Sequence, residues 1–169
     1  MERDLIATWP VSGDPIPVHA GRSRSKRGRS KVVAKVSALA LGFALLVSAC
    51  VSADQTTVFN QVNHSRASNG IPAMQQNGWL SDFAQHWAEH MAARCALSHS
   101  PDYVTANPYN WRSLAENVGS GKSLARAHTR FMNSPSHRAN ILNPRFNYLG
   151  TGVAQGCGRY WVVHEFMQL

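Results

Sequence analysis

Histidines are the first residues here whose setting suggests chemistry. The segment SPSHRANILNP, Ser134 to Pro144, holds His137 between a proline that opens a helix and a proline that ends one. An imidazole fixed near a helix start can carry a proton near neutral pH or ligate a metal ion. A second pattern, HWAEH from His86 to His90, fits the H-x-x-E-H arrangement of one class of zinc peptidase. A helix turns about 100° per residue, which sets His90 on the flank of the apolar stripe and Glu89 toward water. A zinc helix must turn both histidines and the glutamate into one cleft, so HWAEH reads as a solvated helix face. No serine or cysteine stands in a recognisable nucleophile elbow, so a hydrolase built on this chain would have to activate water.

The elements that hold these residues follow from periodicity. Val58, Val62 and Ala67 suit one helical stripe, closed by Asn69-Gly70 and preceded by a short polar tether around Ser52 to Gln55. Leu80, Phe83, Ala84, Trp87 and Met91 fall at i, i+3, i+4, i+7 and i+11, the apolar face of a long helix. Residues 98–121 are rich in Pro, Asn and Ser and read as a connection with a short extended piece near Glu116 to Gly119. A further helix runs from Leu124 to Met132, and Ser134-Pro135 reads as an N-cap followed by proline at the first helical position. That short helix continues through Leu142 and stops at Asn143-Pro144. YLGTGVA and RYWVVHEFM, joined by QGCG, predict an antiparallel hairpin. In its second strand Tyr160, Val162, His164 and Phe166 face one side, and Trp161, Val163, Glu165 and Met167 the other. Both sides are largely apolar, which places the sheet between helical layers.

The 169 residues suffice for one compact domain with an ordinary core, and 44% apolar residues fit a globular class. The formal charge of +8 is unevenly spread. Residues 1–49 hold eight basic and three acidic groups, a net of +5, which leaves +3 for the remainder. The run RSRSKRGRSK supplies most of that excess without interleaved aromatics for base stacking, so nucleic acid is not an expected partner. Behind it lies VSALALGFALLVSA, Val36 to Ala49, about 21 Å long as a helix. That is short of the roughly 30 Å hydrocarbon layer and suits a signal-peptide core. The mixed stretch before the basic run is either a cytosolic extension or lies ahead of a true start near Val32 or Val33.

LVSAC, ending at Cys50, resembles the lipobox of bacterial lipoproteins, in which cleavage leaves the cysteine acylated. The alternative is a plain secretory signal with an incidental cysteine. The division expected is a leader over 1–49, a lipidated Cys50 with tether over 50–57, and one domain over 58–169. Lipidation would anchor the domain to a membrane outside the cytoplasm. With Cys50 so used, Cys95 and Cys157 remain as an even pair in an oxidising compartment, which argues for one disulfide. Two buried free thiols are the alternative. A bridge over 62 residues is worth roughly 4 kcal/mol in the chain-entropy account.

Taken in order, CALSHS, LAENVG, FMNSPSHRANILNPRFNYLGTGVA and RYWVVHEF resemble the bacterial branch of the CAP superfamily, whose domain is also called SCP. The resemblance covers about Val58 to Phe166. It implies an α+β fold, a three-layer α-β-α sandwich with a central antiparallel sheet, and a cleft that gathers histidines and acids. The family's first histidine falls on His99, the glutamate of its GEN motif on Glu116, and its second histidine on His137. Ser134 stands where many relatives carry a second glutamate.

His99, Glu116 and His137 are thus the expected cleft cluster and candidate metal ligands, with Ser134 as a weaker fourth member. Two imidazoles and one carboxylate would bind Zn²⁺ or another divalent ion only weakly, and a purely structural hydrogen-bonded cluster is the alternative. His128 and His164 read as packing or surface residues, and Trp111 as core or loop packing rather than a groove wall. The function expected is a lipid-anchored, monomeric envelope module that binds a lipid, sterol-like, cell-wall or peptide-like ligand. A metal-assisted hydrolase acting through activated water is the alternative.

Overall fold

Strand alternation sorts the two layers that sandwich the sheet. The structure, a computed structural model, describes Val11–Ser12 and residues 51–169. Its elements in chain order are β1 (Val11–Ser12), α1 (Ala53–Ala67), β2 (Gln75–Gln76), α2 (Gly78–Arg94), α3 (Tyr103–Ala106), β3 (Ser113–Gly121), α4 (Leu124–Asn133), α5 (Pro135–Ile141), β4 (Tyr148–Gly156) and β5 (Arg159–Gln168). The sheet order is β1-β3-β5-β4-β2. The long strands β3, β5 and β4 pair antiparallel, and the two-residue β2 joins β4 in parallel. Ala115, Leu149, Val162 and Phe166 pack with Val58 and Val62 of α1, Phe131 of α4 and Ile141 of α5. On the other face, Val118, Trp161 and Val163 meet Ala84, Ala88 and Met91 of α2. The expected α-β-α sandwich around an antiparallel sheet is what forms.

Glycine lets α2 approach the sheet. A Cβ on Gly152 would lie 2.0 Å from the Ala84 carbonyl oxygen, and one on Gly150 2.2 Å from the Leu80 carbonyl carbon. The GTG of β4 is therefore a track on which the helix backbone rests. The disulfide then fixes the far end of α2. Cys95, its C-cap, and Cys157, in the β4–β5 turn, are bonded with Cα atoms 5.9 Å apart. Cys157 and Gly158 both have positive φ, 55° and 71°, as a two-residue turn matching strand twist requires.

Three local expectations need correction. The stretch expected as a tether is the first turn of α1: Ser52 accepts from Gln55 N at 3.2 Å while Gln55 Oε1 accepts from Ser52 N at 2.8 Å, a reciprocal cap. The extended piece near Glu116 to Gly119 is a nine-residue strand, and a single turn of helix, α3, interrupts the connection before it. β3 is held by pairing with β5 along its whole length, from Ser113↔Gln168 to Gly121↔Tyr160. That non-local pairing overrides the weak strand preference of GSG. Ser134 occupies the N-cap of α5 but its hydroxyl caps nothing; its Oγ lies 3.4 Å from Ser136 Oγ. Cys50 and the apolar run before it lie outside the described residues.

A buried arginine locks the chain after α5. Arg66, 1% exposed, donates to the carbonyls of Pro72, Ile141, Asn143 and Phe146 at 2.8–3.1 Å. Its charge is solvated by main-chain dipoles, which ties α1 to the segment that leads into β4.

Candidate functional site

The loop after α2 delivers His99 to the middle of β3. Its Nδ1 is hydrogen-bonded to Glu116 Oε1, and the same carboxylate accepts from Ser100 N at 3.1 Å. Glu116 is buried and His99 half-buried. With Nδ1 engaged, Nε2 is the ring's remaining nitrogen, and it has no hydrogen-bond partner among the described residues. A carboxylate that holds one imidazole nitrogen fixes the direction of the other, the arrangement used by general bases and metal ligands.

This pair lines a cavity of about 580 Å³ together with Ser100, Tyr103, Val104, Leu114 and Ala115. Tyr103 forms part of the wall because α3 turns it inward and its hydroxyl donates to Phe166 O at 2.8 Å. Burial, then the neighbouring carboxyl groups of Glu165 and Glu116, hold that phenol well above its usual range, so it remains a neutral donor. The cavity is mostly apolar with His99 and Glu116 among its lining residues, the form of a small-molecule site.

Glu165 was not singled out from the sequence. It faces Glu116 directly across the β3–β5 pair and is fully buried. Its carboxyl is pushed well above the ordinary range, first by burial and then by the negative charge of Glu116. Neither of its oxygens has a well-formed hydrogen bond to a described residue. The signal was present in the sequence: one acid among Trp161, Val163 and Met167 on a strand face that must be buried.

His137 is buried on α5, on the layer that covers the other face of the sheet. Its ring meets Phe131 edge-on with centroids 5.1 Å apart. Its backbone carbonyl accepts from Asn117 Nδ2 at 3.1 Å, and Asn117 Oδ1 accepts from Asn140 Nδ2 at 2.9 Å. Asn117 follows Glu116 in the strand and therefore points to the opposite face. So LAENVG supplies two polar anchors, Glu116 toward His99 and Asn117 toward SPSHRANILNP; the second went unrecognised. Among the described residues, no three His, Cys, Asp or Glu side chains are grouped so as to hold a metal ion.

The remaining candidates fall as expected. Glu89 and His86 are exposed, with Glu89 bonded to Gln85 at 2.9 Å, while His90 stacks on Trp87. His164 is fully buried between Phe131 and Phe166, and burial, then the nearby His128 and His137, lower its pKa well below the usual value. His128 is half-buried and bonds Ser65 Oγ at 2.8 Å. Trp111 packs against the cluster of Leu80, Tyr103, Leu114 and Met167.

Comparison with known proteins agrees with this architecture. The model of the cysteine-rich secretory protein family, CAP, matches residues 59–166. The uncharacterized protein YkwD of Bacillus subtilis is 29% identical over 121 residues, covering 66% of this chain and 46% of that protein. The chain therefore spans less than half the length of that relative. An outer surface protein from Borrelia burgdorferi superposes with a TM-score of 0.63 at 16% identity, covering 70% of this chain and 95% of that one. An extracellular protein containing an SCP domain from Bacillus anthracis gives a TM-score of 0.60 at 22% identity, covering 69% and 40%. At these identities the structural likeness shows the fold.

Proposed function

Because the chain belongs to the cysteine-rich secretory protein family, we propose that it is an exported envelope module, anchored by an acylated Cys50, whose cleft binds a small apolar or peptide-like ligand. The observation that carries this reading is the mostly apolar cavity of about 580 Å³ lined in part by the His99–Glu116 pair. Its walls supply apolar burial, and the His–Glu pair among them supplies polar atoms that would orient a ligand's polar group. Proteins of this family are generally extracellular, and the Cys95–Cys157 disulfide suits that compartment. Among the described residues no helix is long and apolar enough to cross a membrane. Since α1 begins at Ala53, only Val51 and Ser52 separate it from Cys50, and a lipid there would hold the domain close against the bilayer.

A divalent ion has a thin donor set here. His99 Nε2 offers one site, while Glu116 is engaged by His99 and Ser100, short of the four ligands of a closed zinc site. The hydrolase reading rests on a different observation. His99, oriented through Nδ1, has its Nε2 buried without a described partner, and that nitrogen could take a proton from a water molecule admitted beside it.

The test fills the cavity. Purified protein is titrated with a fluorescent palmitate analogue and with muramyl dipeptide, alongside Val104→Trp. Saturable one-to-one binding of either probe, weakened at least tenfold by the tryptophan, is expected. Absence of saturable binding to both, or equal binding by the variant, overturns the reading.

A further inference from the structure

The charge that lines the ligand cavity has one sign. Among the described residues lining it there is no Lys or Arg. The ionisable groups there are His99, Tyr103 and Glu116. The one cation these can furnish is a protonated His99, whose charge Glu116 already balances across the Nδ1 bond. Between His99 and Glu116 the chain's other charged residues are Asp102 and Arg112, both exposed. The neighbouring strand adds an acid, not a base: Glu165 stands directly opposite Glu116 on β5, buried on the same face of the sheet.

Donors for an anion are equally scarce. Tyr103 gives its hydroxyl proton to Phe166 O at 2.8 Å, and Thr105 gives its own to Asp102 O at 3.3 Å. His99 Nδ1 and Ser100 N are both turned to the Glu116 carboxylate, and His99 Nε2 is buried. That leaves the Ser100 hydroxyl among the described lining side chains, and a neutral hydroxyl does not balance a carboxylate withdrawn from water. Acceptor capacity is in surplus instead. A carboxylate has about four lone-pair sites, and the described partners of Glu116 are two groups, His99 and Ser100 N. Its negative charge lies in a mostly apolar setting, where attraction for a cation is weakly screened.

We propose that this cleft selects ligands that join an apolar body to an ammonium group, and discriminates against fatty-acid carboxylates. The inference rests on the reading of the cavity as a ligand site and names the polar group that the site accepts. The apolar lining takes the ligand's body, and the ammonium lies toward Glu116, where its charge is met rather than left bare. Such a group can be the head of a long-chain amine or the free N-terminus of an apolar peptide.

Purified protein is titrated at pH 7.5 with two pairs of probes: decylamine against decanoate, and leucyl-leucine amide with its N-terminus free against the same peptide acetylated. The chain's formal charge of +8 would draw decanoate non-specifically, so a preference for the amine reports the cleft. In at least one pair the ammonium probe should bind about tenfold tighter or more than its counterpart, and Val104→Trp, which fills the cavity, should abolish that binding. A preference confined to the first pair identifies a long-chain amine, and one that appears in the second a peptide amine. Glu116→Gln/Glu165→Gln removes both carboxyl groups and should erase the preference; should that protein fail to fold, the wild-type ratios decide alone. Equal binding within both pairs, tighter binding of decanoate, or a preference that survives in the folded double variant overturns this inference and leaves the ligand site standing. No saturable binding of any probe, or binding indifferent to Val104→Trp, overturns the site itself and this inference with it.

Discussion

Glu116 and Glu165 stand directly opposite each other on β3 and β5, two buried carboxyl groups on the face of the sheet that α2 covers. Only Glu116 has the polar partners that support a charge, His99 and Ser100 N. Glu165 has none that are well formed among the described residues. Two carboxylates so close cannot both ionise cheaply, and the environment assigns the proton to Glu165.

Folded Glu165 therefore titrates well above its ordinary value of 4.5. The unfolded chain gives up that proton first, so the stability contributed is complete below pH 4.5 and is lost as pH rises through the folded value. The loss is at most about 1.4 kcal/mol per pH unit. Glu165→Gln, which mimics the neutral form, should flatten the decline in urea midpoint between pH 5 and pH 8. Parallel losses in both proteins would show that Glu165 is ionised in the fold.

His164 behaves with the opposite sign. Its folded pKa lies well below 6.5, so its contribution is present above pH 6.5 and is lost as pH falls. Neither ring nitrogen has a described partner, so His164→Leu should cost little at pH 7.5, where the ring is neutral. Between pH 7.5 and pH 5 the variant should therefore lose less stability than the wild type. An identical acid decline in chemical denaturation would remove His164 as its source.

The arginine clamp predicts a large local effect. Arg66→Met keeps the buried length but leaves the carbonyls of Ile141, Asn143 and Phe146 without their donor. A loss of about 3–5 kcal/mol is expected. Hydrogen exchange should show lost protection at the β2–β4 edge, where Gln75 N donates to Asn147 O. A cost below about 1 kcal/mol would mean that water solvates those carbonyls equally well.

Local pattern was sufficient wherever contacts are local or the period is strong. The stripe Leu80, Ala84, Met91 specified α2 and its buried face, and QGCG between two β-branched runs specified the β4–β5 hairpin. The parity of cysteines, once Cys50 is set aside, pointed to the Cys95–Cys157 bridge, and covered faces on β5 required the sandwich. His99 and Glu116 were legible through motif order, and the fold joins them. Tertiary structure decided what depends on register. The full span of β3 exists because β5 pairs with it, which no composition of GSG announces. The same register sets Glu165 against Glu116, and one residue's step along β3 sends Asn117 to clasp α5 through the His137 carbonyl. Side chains 20–49 positions apart meet only after the sheet has aligned them; sequence supplies their identities, while the pleat chooses their face and neighbours.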